Sequence, residues 1–350
     1  MQKHQHSECV GEELLITPSS IFGRLIADVQ RARESIDMEY YIFSEDRIGR
    51  VFAELLCRKA RQGLRVRLLV DGFGSRRMSK HQRRRLLAAG VDVRSCRFVG
   101  YRRNHRKMAI IDSRIAHIGG VNIADRYVAG DALGPWHDVQ LRFVGGGVSA
   151  LVSLFDYDFF VAEGLKCEVP MCYVSPRLRL VWSESCGRRA MPQLFAEVMA
   201  SARHSVVLVT PYFMPSKSVM KCLRDAVRRG VAVRLLVPQR CGMWLLDDVM
   251  RHYVNEARML GVDVCLCRDM FLHAKLAVVD GCSVVVGSAN LDQRSMSINR
   301  ELMALTTCRD VVASAEEFVR SMMLSAVRPT AADLRTTIPR CLVRIVEPWL

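Results

Sequence analysis

The sequence predicts an α/β protein with two similar lobes, each a mixed β-sheet flanked by helices. The prediction rests on a duplicated motif and on alternating strand and helix patterns around each copy. In the motif a lysine follows a histidine by two positions, an aspartate follows the lysine by five, and a glycine comes seven positions later. The two copies are His105, Lys107, Asp112 and Gly119, and His273, Lys275, Asp280 and Gly287.

The repeat extends well beyond the motif. Ala32–Ile36 aligns with Ala202–Val206, Gly63–Val70 with Gly230–Val237, and Gly90–Val93 with Gly261–Val264. The displacements are 170, 167 and 171 residues, and the two histidines are 168 apart. A nearly constant displacement over so much of the chain indicates duplication of a whole domain rather than a short-period solenoid.

Two lobes of ordinary domain size follow from this displacement. We expect the first lobe at residues 1–165 and the second at 176–350, related by a pseudo-twofold axis. The boundary falls in Val161–Pro176, which lacks strong periodicity and is punctuated by prolines. The amphipathic helix expected at Val148–Phe160 is assigned to the first lobe.

Within each lobe the pattern alternates between buried strands and amphipathic helices that stop at glycine. In the first lobe we expect strands at Ile36–Phe43, Leu64–Val70, Lys107–Ile111 and Ile115–Ile118, and a helix at Ile48–Gln62. In the second lobe we expect strands at Val206–Phe213, Val231–Val237, Val262–Cys267, Lys275–Val279 and Ser283–Val286, and helices at Ser218–Arg229 and Asp247–Leu260.

Composition limits the class of protein. Half of the 350 residues are apolar, which excludes a disordered or fibrous chain. The net charge of +15 favours anionic partners, either nucleic acid or an acidic phospholipid surface. The thirteen cysteines lack metal-site spacing, and Cys265 and Cys267 are expected to be buried thiols rather than metal ligands.

Localisation is predicted from hydrophobic patterning. The segment Met1–Glu13 lacks the apolar run of a signal peptide, and no stretch has eighteen uninterrupted apolar residues. We therefore expect a soluble or peripheral protein in the cytoplasm.

The duplicated histidine and lysine predict one shared site. In a strand, residues two apart point to the same face, so each pair can converge on one anion. Two half-sites meeting across a pseudo-twofold axis supply two imidazoles, two ammonium groups and the amides of Asn122 and Asn290. This set suits phosphoryl transfer, in which one histidine attacks phosphorus and the other protonates the leaving oxygen. The lysines supply the positive charge, so neither a metal nor another cofactor is expected.

The sequence resembles the phospholipase D superfamily over nearly its whole length. Within that superfamily it is most similar to bacterial cardiolipin synthases of the short, peripheral type. The most specific segments are Arg103–Lys107 (RNHRK), Gly119–Tyr127 (GGVNIADRY), Trp136–Asp138 (WHD) and Phe271–Lys275 (FLHAK).

The resemblance implies a role for each matching residue. It implies that His105 is the nucleophile and His273 the general acid and base, although chemical symmetry leaves this order open. Lys107, Lys275, Asn122 and Asn290 would hold the phosphate oxygens, with Ser288 as an additional hydroxyl donor. Asp138 and Glu301 would each bind the histidine of the opposite lobe, and Asp112 and Asp280 would have a structural role in turns.

Two departures from the family pattern stand out. Gly120 takes the place that Ser288 has in the second copy, and His137 stands where an arginine is common. Many cardiolipin synthases begin with membrane-spanning helices, whereas the sequence resembles the shorter, peripheral type, in which we expect membrane docking by surface residues. The basic run Arg76–Lys107 suits attraction to anionic headgroups or is a solvated surface. Met243–Leu246 is expected either to dip into lipid or, at Trp244, to contact the core.

The leading hypothesis is a cardiolipin synthase reaction at an anionic membrane. One histidine takes the phosphatidyl group from phosphatidylglycerol with release of glycerol, and a second phosphatidylglycerol resolves the phosphohistidine. The protein would then associate with the inner face of the cell membrane. The alternatives are a phospholipase D hydrolase, a nuclease of the same superfamily acting on nucleic acid, and a binding scaffold with an inactive site. Oligomeric state and acyl-chain selectivity are left open.

Overall fold

A computed structural model describes residues 11–96, 102–184, 190–339 and 342–343. The expectation for the amino-terminal segment falls largely on residues 1–10, outside these ranges, as does Arg97 of the basic run. Among the described residues, no helix combines the length and the apolar character needed to cross a bilayer.

Helices and strands alternate along most of the chain. As far as residue 161 they are β1 (Glu13–Leu15), α1 (Pro18–Arg31), β2 (Ser35–Tyr40), α2 (Arg47–Arg61), β3 (Arg65–Asp71), α3 (Lys80–Ala88), β4 (Asp92–Cys96), β5 (Lys107–Ile111), β6 (Ile115–Gly119), α4 (Arg126–Ala129), β7 (Trp136–His137), β8 (Gln140–Val144) and α5 (Gly147–Val161). Beyond it they are β9 (Tyr173–Val174), β10 (Leu178–Ser183), α6 (Ala190–Ser201), β11 (Ser205–Val209), β12 (Phe213–Met214), α7 (Lys217–Arg228), β13 (Ala232–Pro238), α8 (Trp244–Met259), β14 (Asp263–Cys267), β15 (Phe271–Leu272), β16 (Leu276–Val279), β17 (Ser283–Gly287), β18 (Leu291–Asp292), α9 (Gln293–Ser297), β19 (Glu301–Thr306), α10 (Arg309–Met323) and β20 (Ala326–Val327).

Two mixed sheets share one strand order. The first sheet contains the run β8-β6-β5-β2-β3-β4, and the second contains β19-β17-β16-β11-β13-β14. In both runs the last three strands are parallel and the first three antiparallel. The predicted mixed α/β class is therefore confirmed.

The two sheets pack against each other through one shared apolar layer. Met108, Ile110 and Ile118 of the first sheet lie in the same cluster as Leu276 and Val286 of the second. Because these aliphatic side chains are buried in one layer, the distance from β5 and β6 of the first sheet to β16 and β17 of the second is fixed. Cys265 and Cys267 are also buried in this layer, as expected.

The motif aspartates close the turns after β5 and β16. Asp112 and Asp280 have φ of 52° and 51°, a conformation that costs energy for residues other than glycine. The Asp112 carboxylate accepts the backbone N–H groups of residues 33, 34 and 35 at the start of β2, and Asp280 does the same at the start of β11. These contacts lower the pKa of both carboxyls, although burial alone would raise it.

Two predicted strands are shorter than expected. β2 ends at Tyr40, because the N–H of Ile42 donates to the Asn122 side chain instead of a ladder partner. β11 ends at Val209, two residues before Pro211, which has no N–H to donate. Both breaks lie beside the motif asparagines, so the chain leaves the sheet where it approaches the site.

Candidate active site

The two histidines are anchored by matching backbone bonds across the interface between the sheets. His105 lies just before β5, and its N–H donates to the carbonyl of Arg300 at 3.0 Å. His273 lies just before β16, and its N–H donates to the carbonyl of His137 at 2.7 Å. Each acceptor directly precedes a carboxylate residue, so the bond brings that carboxylate to the histidine ring.

Both imidazoles contact a carboxylate from the other half of the chain. His105 Nδ1 lies 3.0 Å from both oxygens of Glu301. His273 Nδ1 lies 2.6 Å from Oδ2 of Asp138. These are the two cross-lobe pairs that the resemblance implies. A carboxylate on Nδ1 leaves Nε2 as the ring nitrogen for chemistry.

The two pairs differ in how they hold protons. Burial lowers the pKa of His105, although Glu301 opposes this effect. Burial would raise the pKa of Glu301, but His105, Lys107 and Ser288 together lower it, so this pair is a carboxylate and a neutral imidazole at neutral pH. In the other pair, burial raises the pKa of Asp138 to about 7, while burial and nearby cations lower that of His273 well below its usual range.

The Asp138–His273 pair therefore shares one proton up to about pH 7, whichever of its two groups carries it. The His105–Glu301 pair, a carboxylate and a neutral imidazole, has no such additional proton. Unlike protonation states in two similar groups are the usual sign of separate acid and base roles.

The two lysines are buried beside their histidines. The ammonium groups of Lys107 and Lys275 donate to the carbonyls of His105 and His273, respectively. Burial lowers the pKa of Lys107 well below its usual range and that of Lys275 to about 8. An anion bound between the two lysines would therefore stabilise the charged form of each.

Asparagine amides from both halves reach the same site. Asn122 Nδ2 donates to the Tyr127 hydroxyl at 2.6 Å, and Asn290 Nδ2 donates to Asp292 at 3.0 Å. Each amide nitrogen has a second hydrogen for a ligand.

Ser288 is placed differently from the expectation. Its hydroxyl donates to Oε2 of Glu301 at 2.5 Å and accepts the N–H of Leu302 at 2.9 Å. Because its proton is used by Glu301, Ser288 supports the carboxylate rather than facing a ligand. At Gly120, its counterpart, a Cβ would lie 2.4 Å from Asp138 Oδ1, so only glycine leaves room for this carboxylate.

One cavity of about 470 Å³ contains both imidazoles. Asn122 and Asn290 line it, together with two arginines that the sequence analysis did not single out, Arg126 and Arg294. These arginines are 168 residues apart, the same displacement as the histidines, and this signal was available in the sequence.

An aromatic wall surrounds His273. The rings of Tyr127, Trp136 and Phe271 lie 5.3, 5.2 and 5.8 Å from its imidazole, between ring centroids. This apolar enclosure is the physical cause of the strong desolvation at His273. His105 has Tyr41 at 5.1 Å.

A buried ionic cluster lies behind His105. Arg106, which follows His105, binds Asp158 and Glu184, and Arg300, which precedes Glu301, binds the same two acids. The cluster pairs two cations with two anions. A third buried acid, Glu39, lies beside it, and burial and Asp158 raise its pKa well above its usual range. The cluster ties together the backbone on both sides of the His105–Glu301 pair. Ala274 holds the place of Arg106 in the second half-site.

The arrangement provides a neutral imidazole with a free Nε2, a second imidazole pair holding a proton, and cations on either side. These groups can attack a phosphodiester, stabilise its oxygens and protonate the departing oxygen.

Comparison with known proteins gives one family model and several similar relatives. The family model described as "Cardiolipin synthase, PLD-like domain" matches residues 25–132 and 195–323. The probable cardiolipin synthase YwiE of Bacillus subtilis is 31% identical over 84% of this chain and 62% of its own length. The cardiolipin synthase of Geobacillus kaustophilus is 31% identical over 96% of this chain and 72% of its own. The chain thus spans less than two thirds of the Bacillus relative.

Solved structures share the fold at low sequence identity. The phosphatidylserine synthase of Haemophilus influenzae is similar over all of this chain and 93% of its own, with a TM-score of 0.77 and 14% identity. A polyphosphate kinase from Porphyromonas gingivalis is similar over 97% of this chain and 53% of its own, with a TM-score of 0.63 and 16% identity.

Proposed function

The chain belongs to the cardiolipin synthase family with a phospholipase D-like domain, and on that premise we propose that it transfers a phosphatidyl group between two phosphatidylglycerol molecules. The observation that carries the proposal is the single cavity with two imidazoles, each paired with a carboxylate from the other half of the chain. We keep the division into lobes at 1–165 and 176–350, which places this cavity between them.

His105 is the nucleophile in this proposal. Its pairing with an ionised Glu301 keeps a hydrogen on Nδ1 and a lone pair on Nε2. In the first step, Nε2 forms a bond to phosphorus as the bond from phosphorus to the glycerol oxygen breaks. The Asp138–His273 pair gives that oxygen its proton, and glycerol leaves.

The second step reverses the proton transfer. The Asp138–His273 pair takes the proton from a hydroxyl of the second phosphatidylglycerol. The hydroxyl oxygen forms a bond to phosphorus while the bond from phosphorus to His105 breaks. The net reaction converts two phosphatidylglycerol molecules into cardiolipin and glycerol, with no bond energy required from another source.

The remaining site residues bind or position. Lys107 and Lys275 hold the non-bridging oxygens with the amides of Asn122 and Asn290, because four donors around one anion stabilise its developing charge. Ser288 acts through Glu301 and is a positioning residue.

The proposed setting is a membrane. The substrate is an anionic lipid, and the basic balance of +15 favours a surface of the opposite sign. We place the protein at the inner face of the cell membrane as a peripheral protein.

Product analysis tests the proposal. The purified protein is incubated with vesicles of phosphatidylglycerol and phosphatidylethanolamine, and the lipids are identified by mass spectrometry. Cardiolipin with stoichiometric glycerol supports the transfer. Phosphatidic acid as the sole product refutes it in favour of a hydrolase, and cleavage of oligonucleotides without lipid turnover refutes it in favour of a nuclease.

The covalent step has its own test. The variant His273→Ala is mixed with a short-chain phosphatidyl p-nitrophenol, whose leaving group needs no proton. We expect a phosphatidyl adduct on the peptide containing His105, seen by mass spectrometry after acid-free denaturation. His105→Ala should give no adduct, and His204→Ala, at an exposed histidine, should behave as the wild type. An adduct on His273 in the His105→Ala protein would reverse the assignment.

A further inference from the structure

Three exposed apolar side chains lie on equivalent loops of the two sheets. Phe73 is 52% exposed and follows β3, and Met243 and Trp244 are 56% and 72% exposed and follow β13. β3 and β13 occupy the same position in the repeated strand order. Because Trp244 is largely exposed, the expectation that it contacts the core is wrong.

Both loops reach the mouth of the active-site cavity. Phe73 and Met243 line the cavity together with His105 and His273. Trp244 begins α8 next to Met243 and is directed away from the core. One apolar projection therefore stands on each side of the opening through which a substrate enters. Large exposed apolar groups around an opening mark an interaction surface rather than ordinary protein surface.

Positive charge lies beside Phe73 and along the cavity. The guanidinium groups of Arg76 and Arg103 lie over the Phe73 ring, 4.8 and 4.3 Å from its centroid. Arg126 and Arg294 line the cavity, and the only acid among its described lining residues is the buried Asp292. Aromatic groups next to arginine suit the boundary between anionic headgroups and acyl chains, where the ring is apolar and the cation meets phosphate.

We propose that Phe73, Met243 and Trp244 form a docking surface that enters the headgroup region of an anionic phospholipid bilayer and seats the cavity mouth on it. The inference rests on the proposed function, because a phosphatidyl substrate must reach the cavity from a bilayer. Insertion on both sides of the mouth lets a headgroup reach the histidines while its acyl chains stay in lipid. Because the two loops occupy equivalent positions in the two sheets, their insertion would also make the cavity mouth face the membrane plane.

Trp244 is a built-in reporter for this contact. Trp136 and Trp182 are buried, and subtracting the spectrum of Trp244→Phe removes every contribution other than that of Trp244. We expect vesicles of brominated phosphatidylglycerol to quench this difference fluorescence and phosphatidylcholine vesicles to leave it unchanged. Absence of quenching by the brominated anionic vesicles overturns the proposal. A response to a single-stranded oligonucleotide but not to vesicles also overturns it, in favour of nucleic acid.

Matched variants give a second readout. Trp244→Ser is compared with Met259→Ser, at the opposite end of the same helix, where Met259 is 75% exposed. In vesicle sedimentation we expect Trp244→Ser to bind anionic vesicles about tenfold or more weakly, the loss expected for a buried apolar side chain. Met259→Ser should bind as the wild type. Equal binding by both variants contradicts the proposal.

Turnover of a soluble substrate separates this inference from the proposed function. Trp244→Ser should retain wild-type activity on a short-chain phosphatidylglycerol below its micelle concentration, because Trp244 does not line the cavity. Loss of that activity overturns the docking role. If the wild type itself fails to turn over the soluble lipid while Trp244 is quenched by vesicles, the proposed function fails and the docking surface stands.

Discussion

The unequal protonation of the two imidazole pairs predicts that Glu301→Gln and Asp138→Asn will fail on different substrates. Both changes keep the size of the side chain and remove its negative charge. Glu301 supports the histidine that attacks phosphorus, so its loss should slow every substrate. Asp138 belongs to the pair that protonates the leaving oxygen in the first step and takes a proton in the second, so within the first step its loss should matter only when the leaving oxygen needs a proton.

The magnitude follows from the distances. A carboxylate charge 3.0 Å from the His105 ring stabilises positive charge there by about 5 kcal/mol at an effective dielectric constant of about 20. Some of this is retained by the glutamine oxygen, so we expect kcat to fall about 10²- to 10⁴-fold in Glu301→Gln. For Asp138→Asn we expect a loss of about 10²- to 10⁴-fold with phosphatidylglycerol, the usual contribution of general acid catalysis.

The assay uses two soluble short-chain substrates that differ in their leaving group. Phosphatidylglycerol releases an alkoxide that needs a proton, whereas phosphatidyl p-nitrophenol releases a stable phenolate. In the first turnover, measured before the phosphohistidine is resolved, Asp138→Asn should be slow on the first substrate and close to wild type in the burst of p-nitrophenol from the second. Glu301→Gln should be slow on both substrates. The control variant Glu197→Gln, at an exposed acid, should be as fast as the wild type on both. The opposite pattern, with Glu301→Gln sensitive to the leaving group, would refute the assignment of roles.

Three further predictions concern the lysines, the glycine beside Asp138 and the turn aspartates. We expect kcat/KM to fall above about pH 7, because the Asp138–His273 pair loses the proton that the leaving oxygen needs, and to fall further above about pH 8, because Lys275 loses the proton that binds phosphate; a profile that stays level to about pH 10 would contradict this. Gly120→Ser should lower kcat at least about tenfold by displacing Asp138, since a Cβ would lie 2.4 Å from its carboxylate, whereas Gly23→Ser, with open space around it, should not. Asp280→Ala should lower the free energy of unfolding by about 1–3 kcal/mol, measured in urea, because three backbone N–H groups lose a charged acceptor. Asp280→Asn, which keeps one acceptor oxygen without the charge, should lose less, and wild-type stability of Asp280→Ala would contradict the role of these bonds.

The repeated strands and the two motifs were predictable because each leaves a local pattern. Short, mostly apolar segments such as Leu64–Val70 favour buried strands, and their recurrence in the second half of the chain indicates that both halves contain the same elements. Arg126 and Arg294 were equally predictable, since they recur at the displacement of the histidines. The ends of β2 and β11 were not, because they depend on a side-chain contact from Asn122 and on a proline after a continuous apolar run.

Asp138 and Glu301 were identified through the family resemblance and could not have been predicted from the internal repeat. Asp138 follows Asn122 by 16 residues, whereas Glu301 follows Asn290 by 11, so no single displacement aligns them. The first copy has the longer connection, which contains α4 and the turn before β7. The buried cluster of Arg106, Asp158 and Glu184 was beyond reach for a different reason. Its members lie just before β5, in α5 and just after β10, and only the packing of the two sheets brings them together.

A duplicated site would start with two equal halves, yet transfer through a covalent intermediate needs unlike ones. The first differences between the halves affect the protonation of the carboxylates and imidazoles. Glu301 receives the Ser288 hydroxyl, which stabilises its charge, whereas Asp138 rests against Gly120, which has no side chain to offer. Three rings desolvate His273, whereas among the residues that the structure describes only the Tyr41 ring lies beside His105.

The ionic cluster adds to the same difference from behind. Arg106 holds the backbone of His105 and Glu301 on a fixed scaffold, and the alanine in its place beside His273 provides no such link. In the proposed mechanism, the ring that must approach phosphorus along one line is thus the one held more firmly. The other ring would only exchange protons with an oxygen in either step and would tolerate a less constrained position. Duplication supplied the two imidazoles, and a few substitutions around them, at Ser288, Gly120 and Arg106 above all, account for the division of labour between them.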